Sequence, residues 1–423
     1  MRFDLARRSL LAALLAVGTT FGAGCSLAGD DADDEETGAS DDAIVDIDNS
    51  RVKRQSIGNC WLYATASWAE SLAMQVSGTR ELNMSESYWT YWHWFDQIAN
   101  GAVSSEIQTG GWYSTAAEII TRYGIVNEGS FIPSEANDEM SLRQSSALKK
   151  INASIKSGAL STPEARRDRA VVRKELDKAF ELAPNVVTQL NRVFGAGVVR
   201  TLDKSTVSTR FTSIKRAADI KVRLRDPQTK EPVTANLQDA LGTRTSTWSN
   251  YRSGRYAWQP ASYPWSPSSR RSMLTRLQRA MHDGQPVIMS WYVDFNALDA
   301  QGRFAAPPAT PGRQGGHMVV VEDYQINDVP GFGTLKVGVK ETRPEALAAA
   351  LSPSAKIELI RVKNSWGSFR PDREFVLPGF HDLYMDYLDG PIQQCTQKDD
   401  DTGSTDNCWD ATPLNDFIFP PGY

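Results

Sequence analysis

The sequence predicts an α+β protein of two lobes, helical in its first half and strand-rich in its second. Two observations carry this expectation. Apolar side chains recur at helical spacing in the first half, and they come in short continuous runs rich in branched residues in the second. Leu62, Tyr63, Ala66, Ala69 and Leu72 fall close to one helical stripe, so a helix begins at or near Cys60. The aromatic run from Tyr88 to Phe95 is dense enough to be core, and a further helix is expected from Ser114 to Tyr123, stopped by Gly124. In the second half a helix from about Ser269 to His282 ends at Gly284. Strands follow at Val287 to Val293, Met318 to Val321 and Ile357 to Val362.

At 423 residues the chain has room for two to three units. The first 25 residues read as an export signal. Arg2, Arg7 and Arg8 precede an apolar run (Ser9 to Gly18), which gives way to small residues ending at Gly22, Ala23, Gly24 and Cys25. The apolar run is too short to span a membrane. Its end resembles a bacterial lipoprotein signal, which implies lipidation of Cys25 as the mature N-terminus. An ordinary secretory signal and twin-arginine export through Arg7–Arg8 both stay open. Residues 26–50 carry ten acidic side chains and no Lys or Arg, too polar to offset the entropy of ordering, so they are expected to be a disordered tether. The chain is therefore expected to be exported, as a cell-envelope lipoprotein or a secreted protein, with a lipid anchor at Cys25 as its one membrane contact.

Beyond the tether the reading is a helical lobe (51–140), a basic, mainly helical insertion (141–283) and a β-rich lobe (284–423). Residues 141–226 hold 19 Lys and Arg against 8 Asp and Glu, although the whole chain carries −5. Ser161, Pro163 and Glu164 form a capping-box start for a helix running toward Leu182, with Val172, Leu176 and Phe180 on its apolar face. The positive charge is read as the solvated outer faces of structural helices. No aromatic residues interleave with it as they would for nucleic acid, so no nucleic-acid partner is expected.

The cysteines separate by task. Cys395 and Cys408 bracket a polar loop and are expected to pair in an oxidising compartment. The three aspartates between them, Asp399 to Asp401, lack the spacing of an EF-hand, and no metal or cofactor is expected. Cys60 is left unpaired, and a lone leftover cysteine is a candidate nucleophile. A thiol attacks a carbonyl as thiolate, and a helix N-terminus lowers its pKa through free N–H groups and the positive end of the dipole. Such a nucleophile also needs a base. Of four histidines, His93 lies in the aromatic cluster, His282 in the last turn of a helix as a surface residue, and His381 on an unassigned turn. His317 follows Gly315–Gly316 and opens an apolar strand, which makes it the candidate base. Asn364, just after the strand that ends at Val362, is by composition a turn residue whose amide could orient an imidazole.

Three blocks together resemble papain-like cysteine peptidases: Gly58 to Ala64 around Cys60, Gly316–His317 before an apolar strand, and Lys363-Asn364-Ser365-Trp366-Gly367. They stand in the family order Cys, His, Asn. Gly110-Gly111-Trp112 resembles the family's substrate-binding glycines, and Glu81 to Tyr88 is similar to the bleomycin-hydrolase-like branch. The resemblance covers roughly residues 51–135 and 284–390. It implies a two-lobed fold, with a helical lobe carrying Cys60 and an antiparallel β-barrel-like lobe carrying His317 and Asn364. It implies that Cys60 is nucleophile, His317 base and Asn364 orienting amide, with Trp366 shielding the Asn–His contact. Gly110 and Gly111 would present backbone groups to an extended peptide or protein substrate. Gln55 would help hold the oxyanion, although it stands five residues before Cys60 where the family usually has six. The implied activity is peptide-bond hydrolysis through a thiolate–imidazolium pair and a thioester. A catalytically inactive binding module of the same fold, and acyl transfer by the same thioester chemistry, remain as alternatives.

Overall fold

Apolar runs that alternate between two cores build the central sheet. In the strand that carries His317, Met318 and Val320 join the core beneath the Cys60 helix, while Val319 and Val321 join a second core on the other face. The period of two along a strand allows one segment to serve both. The computed structural model describes residues 47, 50–79, 82–207, 212–246, 249–368, 377–399 and 404–423. The signal with Cys25, the acidic tether apart from Ile47 and Ser50, and Asp400 and Asp401 lie outside the described residues.

The chain opens with α1 (Cys60–Ser77), α2 (Glu86–Ala99), α3 (Tyr113–Tyr123) and the short α4 (Glu128–Phe131). Next come α5 (Leu142–Ser157), α6 (Pro163–Arg167), α7 (Arg169–Ala179) and α8 (Pro184–Phe194). A hairpin of β1 (Lys221–Arg225) and β2 (Pro232–Asn236) follows, then α9 (Leu237–Leu241) and the small pair β3 (Thr243–Arg244) and β4 (Arg252–Ser253). The second half holds β5 (Gln259–Ser262), α10 (Pro267–His282), β6 (Val287–Asp294), β7 (Gln314–Val329) and β8 (Gly333–Leu335). It ends with α11 (Pro344–Ala349), β9 (Lys356–Lys363), β10 (Phe380–Tyr384), α12 (Met385–Leu388), β11 (Ile392–Asp399), β12 (Ser404–Ala411) and β13 (Leu414–Phe419). The described residues belong to one compact unit.

The main sheet has the order β10-β9-β7-β6-β13-β5, with β8 added to β7, and its named pairs are antiparallel. It is open: among the described residues β10 and β5 are its two ends and do not pair. The barrel-like closure implied by the resemblance is therefore not adopted. One edge, β5, contains Pro260, which has no N–H to extend a ladder. This edge strand lies within residues 141–283, and so do β1 to β4.

Helix α1 is buried along most of its length, from Cys60 to Met74, as expected of a helix that is apolar on more than one face. It ends where Gly78 takes a left-handed conformation (φ 67°) and its N–H returns to the Met74 carbonyl. Trp61, Trp68, Trp89, Trp92 and Trp94 are all within 1% of full burial. Each such side chain contributes on the order of 2 to 3 kcal/mol through its buried apolar surface. The continuous helix expected after Ser161 is instead two. Thr162, not Ser161, caps α6 by accepting the Ala165 N–H, and Asp168 then caps α7 by accepting from Ala170 and Val171. The Asp168 carboxylate offers these N–H groups a better partner than a continuing helix would. His282 is not the surface residue expected, since its Nε2 lies 2.6 Å from the Tyr324 hydroxyl and its ring is largely covered. The Cys395–Cys408 disulfide is formed and ties β11 to β12.

A buried charge cluster joins the segment before α1 to the helices around it. The Lys53 ammonium lies 2.8 Å from Glu86, 3.3 Å from Glu128 and 3.8 Å from Glu70, and it donates to the Met84 carbonyl at 2.9 Å. Burial works against its charge. The carboxylates of Glu86, Glu70 and Glu128 outweigh that cost and hold its pKa above the ordinary lysine value. Removing the cation leaves three acids in a dry interior. Lys53→Met is therefore expected to lower the unfolding free energy by about 3 kcal/mol or more, measured by urea unfolding. An unchanged midpoint would show that the acids do not depend on it.

Candidate active site

Strand register brings the site residues together. Val320 of β7 lies opposite Lys363 of β9, and the strands are antiparallel. His317, three residues before Val320, and Asn364, one residue after Lys363, therefore emerge at the same end of the pair. The His317 Nε2 lies 2.7 Å from Asn364 Oδ1. That oxygen also accepts the Ser365 backbone N–H at 2.7 Å, which fixes it as the oxygen of the amide. Nε2 must then carry the imidazole proton, and Nδ1 is left as the basic nitrogen. Trp366 stacks on His317 with ring centroids 4.7 Å apart, and its other neighbours include Phe295 and His381.

Cys60 is the first residue of α1 and is 9% exposed. Asn59 precedes it but does not cap the helix with its side chain. That amide is held instead by Thr90 at 3.0 Å and Gln144 at 2.8 Å. The Leu62 N–H is met by the Asn59 carbonyl at 3.0 Å, while those of Cys60 and Trp61 are left to face the sulfur. Gln144 comes from α5, the opening helix of the basic segment, and it also donates to Ser87 and the Tyr63 hydroxyl. This buttress was invisible in the sequence, because a glutamine 84 residues after the cysteine carries no motif.

Three backbone N–H groups, of Met318, Trp61 and Cys60 itself, lie against the sulfur and favour its thiolate. Burial outweighs them and pushes the thiol up to about 11. Burial likewise pulls His317 down to about 4, with the Asn364 hydrogen bond opposing and a charge on His381 assisting. The lowered thiol pKa expected from the helix N-terminus is thus overturned in the resting state. Desolvation of a nearly enclosed sulfur exceeds what the helix terminus supplies. Both shifts favour the uncharged form of the group at rest.

Gln55 lies close by, but its amide is engaged. Its N–H pairs with the Ser365 carbonyl at 2.9 Å, its Oε1 accepts from Ser365 Oγ at 2.6 Å, and its Nε2 donates to Ile57 at 2.9 Å. One hydrogen on Nε2 remains for a further acceptor. On the other side of Cys60, the Trp61 indole donates to the Thr109 carbonyl at 3.0 Å. A Cβ on Gly111 would stand 2.5 Å from the Trp61 ring, so only glycine lets the 109–111 segment run this close. A Cβ on Gly110 would meet nothing within 4 Å, and that residue is exposed.

Lys363 is a further residue whose part the sequence did not reveal. Its ammonium crosses from β9 to α1, donating to Ser67 at 3.0 Å and to Ser50 at 2.7 Å. Burial lowers its pKa to about 8. A small depression lined in part by Trp112, Ser114, Asn250, Met318, Asp416 and Ile418 opens to solvent and has a volume of only about 20 Å³. Trp112 follows Gly111 and Met318 follows His317, so this depression flanks the Cys60–His317 pair. Asp416, on β13, carried no signal in the sequence.

No family model matches the chain, and no curated protein does. Among solved structures, PepW from Lactobacillus rhamnosis HN001 is similar at 10% identity with a TM-score of 0.40, over 90% of this chain and 82% of that one. Xylellain, a cysteine protease from Xylella fastidiosa, is similar at 11% identity with a TM-score of 0.33, over 88% of this chain and 84% of that one. Likenesses at these scores carry no argument about activity.

The neutral resting pair has a measurable consequence. Alkylation of Cys60 by iodoacetamide is expected to quicken about tenfold per pH unit through the neutral and alkaline range, levelling only near pH 11. A rate plateau that begins near pH 4 would show a standing thiolate–imidazolium pair instead.

Proposed function

We propose that the protein is a cysteine peptidase in which Cys60 attacks the scissile carbonyl and His317 moves the proton. The observation that carries this reading is the His317–Asn364 hydrogen bond, which leaves Nδ1 basic at the end of β7, where the Met318 N–H meets the Cys60 sulfur. The three sequence blocks around Cys60, His317 and Asn364 support it independently.

With a neutral pair at rest, the thiol proton passes to His317 Nδ1 as the Cys60 sulfur bonds to the carbonyl carbon. The negative charge that develops on the carbonyl oxygen is received by the Cys60 backbone N–H and by the remaining hydrogen of the Gln55 amide. Collapse of the tetrahedral species breaks the C–N bond, and His317 returns its proton to the departing amine. Water then attacks the thioester with His317 as base, releasing the acid and restoring the thiol. Asn364 keeps Nε2 protonated and the ring aligned, and Trp366 keeps water from competing for that bond. An extended substrate lies along Gly110 and Gly111, with Gly110 exposed and facing open space.

The test is to expose the folded, reduced protein to an epoxysuccinyl inhibitor and locate the adduct by mass spectrometry. Labelling at Cys60 that disappears in His317→Ala is the expected result. Hydrolysis of fluorogenic peptides is expected to fall about a hundredfold or more in His317→Ala, with a smaller fall in kcat for Asn364→Ala. Absence of both labelling and hydrolysis in the folded wild type would replace this reading with a binding module. Turnover only when an amine acceptor is supplied would point to acyl transfer.

A further inference from the structure

The residue best suited to cap α1 does not cap it. Asparagine is among the strongest N-cap residues, because its side-chain oxygen accepts an N–H of the first turn. Asn59 stands at that position and makes no such bond. Its Oδ1 is buried and has no hydrogen-bond partner among the described residues, so the helix and the amide both forgo a bond they could share. What holds the amide away is its other end. One Nδ2 hydrogen goes to Thr90 Oγ1 at 3.0 Å and the other to Gln144 Oε1 at 2.8 Å.

Gln144 is itself out of pattern. It heads the buried stripe of α5, with Ala147, Ile151 and Ile155, where helical spacing calls for an apolar residue. Both of its polar atoms are engaged: Oε1 accepts from Asn59, and Nε2 donates to Ser87 at 2.9 Å and to the Tyr63 hydroxyl at 3.3 Å. A buried amide with its bonds made adds little net stability over an apolar side chain of its size, and what it adds is direction. The same segment grips the rest of the loop before α1. The Glu139 carbonyl accepts the Arg54 N–H at 2.7 Å, and the Ser141 carbonyl accepts Ser56 Oγ at 2.6 Å. The unmade cap has a consequence at the sulfur. A capping Oδ1 would take the N–H of Trp61 or Leu62, and the Leu62 N–H already meets the Asn59 carbonyl. The Trp61 N–H would be the one lost, and it is one of the three that lie against the Cys60 sulfur.

We infer that Gln144 is a positioning residue: it withholds the Asn59 side chain from the start of α1 and so keeps the Trp61 N–H aimed at the Cys60 sulfur. The inference rests on the reading of Cys60 as the nucleophile and adds the distant residue that prepares it. Thr90 takes part in the same restraint.

The experiment measures the rate of Cys60 alkylation by iodoacetamide at one mildly alkaline pH, together with kcat and KM for a fluorogenic peptide. Gln144→Met keeps the length of the side chain and frees the Asn59 amide. It is expected to alkylate about tenfold more slowly, since one hydrogen bond to the thiolate is lost. Its kcat is expected to fall while KM holds, because Gly110 and Gly111 take no part in these bonds. Adding Asn59→Ala removes the competing cap, so the double variant is expected to regain most of the lost rate, which a role in packing alone would not produce. Gln144→Glu, which keeps an oxygen for Asn59, is expected to retain most of the wild-type rate. Thr90→Val, with and without Asn59→Ala, gives the same comparison if Gln144→Met does not fold. Alkylation unchanged in Gln144→Met, or equally slow in the double variant, overturns this inference and leaves the peptidase reading standing. A folded wild type and variants that alkylate in the expected pattern, yet cleave no peptide, support the inference and overturn the peptidase reading.

Discussion

The antiparallel pairing of β7 with β9 is the constraint on which the site depends. Because Val320 faces Lys363, His317 and Asn364 meet at one end of the ladder, and Trp366 arrives where it can cover their contact. A slip of one residue would turn His317 toward the wrong core, since successive strand residues face opposite sides. The register is itself secured by apolar alternation, with Val319 and Val321 committed to one core and Met318 and Val320 to the other. Burial of ordinary aliphatic side chains therefore positions an imidazole.

The cysteine reaches that point by a separate route. Helix α1 is buried on several faces, and its start is held by polar contacts that do not cap it: Asn59 is turned toward Thr90 and Gln144. Lys53 gathers Glu70, Glu86 and Glu128 beneath the same helix, while Lys363 ties β9 to Ser67 of α1. Two buried cations thus brace the region of α1: Lys53, held charged by three acids, and Lys363, which ties β9 to α1 and is weakened by burial. Such links are directional, unlike apolar packing, and they fix the orientation of α1 against β9. The same burial raises the thiol pKa of Cys60 and lowers that of the His317 imidazole, so both favour their uncharged forms.

Much of this was legible in the sequence for reasons that can be stated. The helix from Cys60, the strands at 287, 318 and 357, and the Cys395–Cys408 bridge rest on local periodicity or on spacing, and local patterns survive folding. Expectations failed where a long-range competitor decided the outcome. The predicted closure into a barrel-like lobe gave way to an open sheet ending in β5, whose pairing with β13 joins residues more than 150 positions apart. The helix after Ser161 broke because the Asp168 side chain captured the N–H groups of Ala170 and Val171. His282, expected at the surface, is covered because Tyr324 of β7 comes to meet it.

The sequence by itself determined which atoms could do chemistry: one unpaired cysteine at a helix start, one histidine after two glycines, and one asparagine at a strand end. Residue type and local pattern carry that information, because nucleophilicity, basicity and helix or strand tendency are properties of a residue and its near neighbours. Only the tertiary structure decided the state and surroundings of Cys60. It set the depth of burial that keeps the thiol protonated, the Gln144 support from a distant helix, and the placing of Asp416 beside Met318 and Trp112. These are properties of segments far apart in the chain, brought into contact by strand register and core packing, and no local pattern encodes them.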